Sequence, residues 1–82
     1  QRLSEAPTGS YTAKLASQGI LKVAQKVCEE GVELALAGAA QDDERVKSEA
    51  ADLVYHLLLL LAVRKLSLSD VLAELERRHQ SR

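Results

Sequence analysis

Apolar positions in this chain recur at helical spacing, and no segment alternates as a strand would. From residue 20 to about residue 40, Ile20, Val23, Val27, Cys28, Gly31, Leu34 and Ala35 form one stripe of an amphipathic helix. Gln41 and Asp42 interrupt it. Asp42 or Asp43 can cap a following helix striped by Val46, Ala50, Leu53, Leu57, Leu60 and Leu61, which ends near Lys65. Ser67 to Asp70 has the spacing of a capping box, opening a last helix through Val71, Leu72 and Leu75 to about His79. Ahead of these, Pro7, Gly9 and Ser10 mark a loop, and Ser10 can cap a short helix over residues 11–17 that Gly19 stops. The pattern predicts an all-α fold.

The short connection makes the two long helices antiparallel neighbours, an αα-hairpin. Beyond Tyr55 the leucines wrap most of the helix circumference, more than one partner helix covers. The expected architecture is therefore a helical hairpin assembling with a second chain into a dimeric helix bundle, a homodimer. Composition agrees, because 82 residues make a single domain with a marginal core, and that core must be built without Phe or Trp. Residues 57–63 form the longest apolar run, far short of the roughly 20 residues that span a bilayer, so no membrane role is expected. A net charge of -1, from 11 basic and 12 acidic residues, leaves no broad basic surface for nucleic acid. The lone Cys28 and the lack of a leader pattern point to the cytoplasm. A start at Gln1 without Met is expected to reflect a missing upstream segment.

Chemistry concentrates in the hairpin. Glu29, Glu30 and Glu33 crowd one turn of the first long helix, and Glu49 and Asp52 sit three residues apart near the start of the second. Residues at i and i+3 share a helix face, so an antiparallel pairing aims Glu30, Glu33, Glu49 and Asp52 at one point. An isolated acid on a polar stripe is ordinarily a solvated charge. Here Glu30 borders the apolar surface, and Glu49 and Asp52 flank the leucine stripe. Carboxylates gathered this way repel unless a divalent cation joins them, and an all-oxygen set suits magnesium, with manganese a possible substitute. Lys22 and Lys26 precede the glutamates in an order that opposes both the helix dipole and the favoured Glu-before-Lys pairing; phosphate binding beside a metal accounts for them, the alternative being snorkelling surface lysines. His56 follows Asp52 by one turn and shares its face, whereas Tyr55 points away, towards packing or a dimer contact. Cys28 is assigned to the core, and His79 to a charge–dipole match at a helix end.

The pattern Glu29-Glu30-x-x-Glu33 followed by Glu49-x-x-Asp52 resembles the metal signature of the all-α nucleoside triphosphate pyrophosphohydrolases, the MazG-like superfamily. Flanking segments sharpen this: Ser10-Tyr11-Thr12-Ala13-Lys14-Leu15, Lys22-Val23-Ala24-Gln25-Lys26-Val27, Glu49-Ala50-Ala51-Asp52-Leu53-Val54-Tyr55-His56-Leu57, and residues 66–79. Together they resemble the phosphoribosyl-ATP pyrophosphohydrolase family of histidine biosynthesis over nearly the whole chain. The resemblance implies an obligate dimer that hydrolyses phosphoribosyl-ATP to phosphoribosyl-AMP and pyrophosphate, with magnesium on Glu30, Glu33, Glu49 and Asp52. It places Lys14, Lys22 and Lys26 at basic positions suited to phosphates. Relatives in this family usually begin with a further helix, and some are fused to the phosphoribosyl-AMP cyclohydrolase of the next step.

On this reading Glu29, adjacent to the ligands but off their spacing, is the expected acceptor of a proton from attacking water, and His56 a contact either to substrate or to the groups that hold the metal. Two rivals predict different behaviour. A house-cleaning nucleoside triphosphate pyrophosphohydrolase would share the metal site but not the segment over residues 10–15; a non-catalytic helical dimerisation module would bind no magnesium.

Overall fold

The computed structural model describes residues 11–15 and 18–80. Helical residues 11–15 precede three helices, α1 (Ile20–Ala40), α2 (Asp43–Val63) and α3 (Leu68–Gln80), and no strand occurs among the described residues. The predicted Ser10 cap and the predicted helix end at Ser17 lie outside them.

Local chemistry sets each boundary. Gly19 adopts φ 94° at the start of α1, a conformation that other residues rarely reach, and turns the chain into the helix. Between α1 and α2, Gln41 is extended and Asp42 is the cap that forms, its carboxylate accepting from the Arg45 amide at 2.9 Å. Asp43 and Glu44 then occupy the first turn of α2, where the helix dipole favours acids. At the other end of α2 the Leu66 amide donates to the Leu61 carbonyl (2.8 Å) and the Lys65 amide to that of Ala62 (2.9 Å), a Schellman turn with Lys65 at φ 62° in the place glycine usually takes. The predicted capping box closes in both directions: the Ser67 amide donates to Asp70 (2.8 Å), and the Asp70 amide to Ser67 Oγ (3.4 Å).

α1 and α2 pack against each other as the hairpin. Val23, Glu30 and Ala37 are the buried residues of α1, and Glu49 and His56 those of α2. Seven-residue intervals of this kind make a seam like that of a coiled coil, but three of its five buried members are ionisable. The buried line is rotated from the one read off hydrophobicity, which assigned Cys28 to the core and Glu30 to its border. Cys28 is exposed and Glu30 is buried, 7% accessible.

Leu15, Val23 and Ala37 are the buried apolar residues among those described. Leu21, Val32 and Leu36 on α1, Val54 and Leu58 on α2, and Leu72 and Leu75 on α3 remain exposed, Leu21 to 83%. None of the described helices is long and apolar enough to cross a membrane.

Candidate functional site

Two clusters form along the hairpin seam. The first is built on His56, which is 5% exposed. Its Nδ1 lies 2.5 Å from Glu30 Oε1, across the hairpin, and 3.0 Å from the carbonyl oxygen of Asp52, one turn back on α2. Its Nε2 lies 2.7 Å from the hydroxyl of Tyr11, which reaches in from residues 11–15. The rings of Tyr11 and Tyr55 both meet the imidazole edge-on, with centroids 5.7 and 4.9 Å away, and Thr12 Oγ1 hydrogen-bonds to the Tyr55 hydroxyl. Burial raises the Tyr11 pKa above its ordinary value, and the charges of Glu30 and Asp52 add to this while Lys26 opposes it, so the phenol keeps its proton.

The second cluster is built on Glu49, which is 6% exposed. Arg45, one turn earlier, holds Oε2 at 3.1 Å, while Oε1 is buried with no hydrogen-bond partner among the described residues. Burial raises the Glu49 pKa. The Arg45 guanidinium counteracts this, and the nearby carboxylates of Glu33 and Asp52 push the pKa further up.

Of the four acids expected to hold metal, Glu30 and Glu49 are buried in the seam and Glu33 and Asp52 are exposed; the charges of Glu33 and Asp52 act on Glu49, and Glu30 is joined to the Asp52 backbone through His56. With Glu30 drawn to His56 and Glu49 to Arg45, no group of three or more His, Cys, Asp or Glu side chains among the described residues is arranged to hold a metal ion. The donor chemistry nonetheless fits a hard divalent cation, since a buried carboxylate oxygen without a partner, flanked by two further acids, is costly until a positive charge meets it.

Beside the acids lies a cavity of about 280 Å³ lined by Lys14, Lys22 and Lys26 together with Tyr11, Gln25 and Glu29. Glu29 stands at its edge, accepting from Gln25 Nε2 at 2.9 Å and pairing with Lys26 Nζ at 3.8 Å. Tyr11 belongs to both regions, with its ring in the cavity lining and its hydroxyl on His56. Sequence reasoning missed Tyr11, Thr12 and Arg45 and turned Tyr55 away from the site. One signal was available, because the two tyrosines are the sole aromatic residues of the chain and both converge on His56.

Comparison with known proteins gives a consistent result. The family described as phosphoribosyl-ATP pyrophosphohydrolase matches residues 1–79. The histidine biosynthesis bifunctional protein HisIE of Xanthomonas axonopodis is 59% identical over 80 residues, which cover 98% of this chain and 39% of that protein. Phosphoribosyl-ATP pyrophosphatases of Metallosphaera sedula and Pyrobaculum calidifontis are 56% and 55% identical over 78 residues, covering 95% of this chain and 84% and 83% of theirs. The chain thus spans about two fifths of the bifunctional relative and most of the single-function ones.

Proposed function

Since the chain belongs to the phosphoribosyl-ATP pyrophosphohydrolase family, we propose that it hydrolyses phosphoribosyl-ATP to phosphoribosyl-AMP and pyrophosphate in histidine biosynthesis, with magnesium held by Glu30, Glu33, Glu49 and Asp52. The observation that carries the metal assignment is the buried, partnerless oxygen of Glu49 beside Glu33. When bound, the ion supplies neutralising charge at phosphate oxygens and makes water more acidic. Manganese, another hard ion, is the expected substitute.

The chain's own side chains do the remaining work. Lys14, Lys22 and Lys26 line one cavity and hold the substrate's phosphates there as point charges. Glu29, at the edge of the same cavity, accepts the proton of the attacking water. His56 has both ring nitrogens engaged by Glu30 and Tyr11, so it contacts substrate only if one of those hydrogen bonds gives way.

The functional unit is a homodimer. Val32, Leu36, Val54 and Leu58 are exposed on the hairpin, and a second copy covers them as one helical bundle. The size of the bifunctional relatives supports a fused or associated second activity, for which the phosphoribosyl-AMP cyclohydrolase of the following step is the candidate. The setting is the cytoplasm.

The test is pyrophosphate release from phosphoribosyl-ATP with and without magnesium, alongside a panel of nucleoside triphosphates. Phosphoribosyl-ATP is expected to be the preferred substrate, and Glu33→Ala and Asp52→Ala are expected to abolish turnover in folded protein. Preference for another triphosphate, or near-normal activity in either variant, would overturn the assignment.

A further inference from the structure

Glu30 and His56 meet across the hairpin, and the partners around them determine where the protons sit. His56 Nδ1 faces Glu30 Oε1 at 2.5 Å and the Asp52 carbonyl oxygen at 3.0 Å. A backbone carbonyl only accepts, so Nδ1 carries hydrogen. In the neutral ring Nε2 is then an acceptor, and the Tyr11 hydroxyl at 2.7 Å is its donor. Flipping the ring would exchange nitrogen for carbon at both positions and break these bonds together. The edge-on rings of Tyr11 and Tyr55 hold the imidazole plane, and the Thr12–Tyr55 hydrogen bond fastens residues 11–15 to α2 a second time.

We propose that His56 and Tyr11 are positioning residues for Glu30: His56 Nδ1–H fixes one carboxylate oxygen and so sets how the other meets a cation, while Tyr11, donating to Nε2, holds the ring in that orientation. This rests on Glu30 being a metal ligand, as proposed above. It goes further in assigning Tyr11 a role and in tying the cation site to the lysine-lined cavity that Tyr11 also borders. A cation-binding acid gripped by a single oriented donor loses affinity when that donor is lost, typically about 10–100-fold.

Two substitutions of His56 separate hydrogen bonding from packing. In His56→Asn the amide nitrogen falls near the place of Nδ1 and keeps the donor to Glu30. In His56→Gln it falls near Nε2, and the donor is lost. Magnesium binding to the full chain, measured by calorimetry without nucleotide, is expected to be alike in wild type and His56→Asn and about 10–100-fold weaker in His56→Gln. Tyr11→Phe removes one oxygen from a side chain 37% exposed, so it supports the same test if His56→Gln does not fold. It too is expected to weaken binding. Nitrogen-15 NMR of the imidazole is expected to show the proton on Nδ1 in wild type.

Unchanged magnesium affinity in both His56→Gln and Tyr11→Phe, or a wild-type proton on Nε2, would overturn the positioning role and leave the metal assignment standing. A wild-type chain that binds no magnesium would overturn both.

Discussion

Replacing Glu49 with glutamine should have opposite effects with and without magnesium. Without the ion, wild type keeps a 6%-exposed carboxylate with one oxygen on Arg45 and the other without a hydrogen-bond partner among the described residues, while Glu33 and Asp52 add like charge. The amide of Glu49→Gln keeps the shape and removes the charge, so the variant should unfold at a higher temperature than ion-free wild type. The pH dependence follows from the raised pKa. Folded wild type binds the Glu49 proton more tightly than the unfolded chain does, a contribution fully present below the ordinary value of 4.5 and lost as pH rises through the elevated one. Ion-free wild type should therefore lose stability as pH rises across that window, and Glu49→Gln should lose less. With magnesium at about 100 times the wild-type Kd, mass action adds about 2.7 kcal/mol to wild type, roughly 11–22 °C for a domain of this size. If losing one of four ligands weakens binding about 100-fold, the same magnesium adds only about 0.4 kcal/mol to the variant. Calorimetric melts at several pH values, with EDTA or with magnesium, measure all four quantities. An ion-free variant less stable than ion-free wild type, together with an undiminished magnesium shift, would refute the reasoning.

Three further outcomes are expected. Leu58→Glu places a charge on an exposed apolar surface of α2 and should convert a dimer to monomer in sedimentation velocity; an unchanged sedimentation coefficient would place the interface elsewhere. Ser67→Ala removes one arm of the reciprocal cap on α3 and should cost about 1 kcal/mol in urea unfolding, with Asp70→Ala adding little to it because both act on one motif. Lys22→Ala and Lys26→Ala should each weaken competitive inhibition by pyrophosphate on the order of tenfold, near the roughly 1.5 kcal/mol of a charged hydrogen bond; equal inhibition would remove the cavity from phosphate binding.

Helix boundaries were legible because they rest on short-range chemistry. Ile20–Ala40 follows Gly19, Asp42 caps α2, and Ser67 with Asp70 opens α3, each through groups within four residues. The end of α2 was less clear, since Lys65 takes a left-handed conformation for which glycine is the usual signal. The rotation of α1 was not legible. Hydrophobicity favours burying Cys28 over Glu30, and that ranking holds only while Glu30 lacks a partner. His56 is that partner, 26 residues away across the hairpin, and no local pattern records it.

The same logic separates the parts of the site. That Glu33 and Glu49 would meet followed from i, i+3 spacing and antiparallel pairing, which are properties of helices as rigid rods. That Tyr11 and Tyr55 would close on His56 depended on how residues 11–15 fold back onto α2, a tertiary choice made by two hydroxyl contacts. The seam then admits a physical reading. A hairpin with two buried apolar residues, which nonetheless buries Glu30, Glu49 and His56, departs from the arrangement that stability alone favours. Glu30 and His56 satisfy each other, but Glu49 Oε1 has no hydrogen-bond partner among the described residues, and an apolar side chain there would avoid the cost. A charge buried at that cost is explained by what it attracts. This is why ion-free stability and magnesium affinity should move in opposite directions at residue 49, whereas at residue 56, where the buried groups are already paired, losing the Nδ1 donor should lower both.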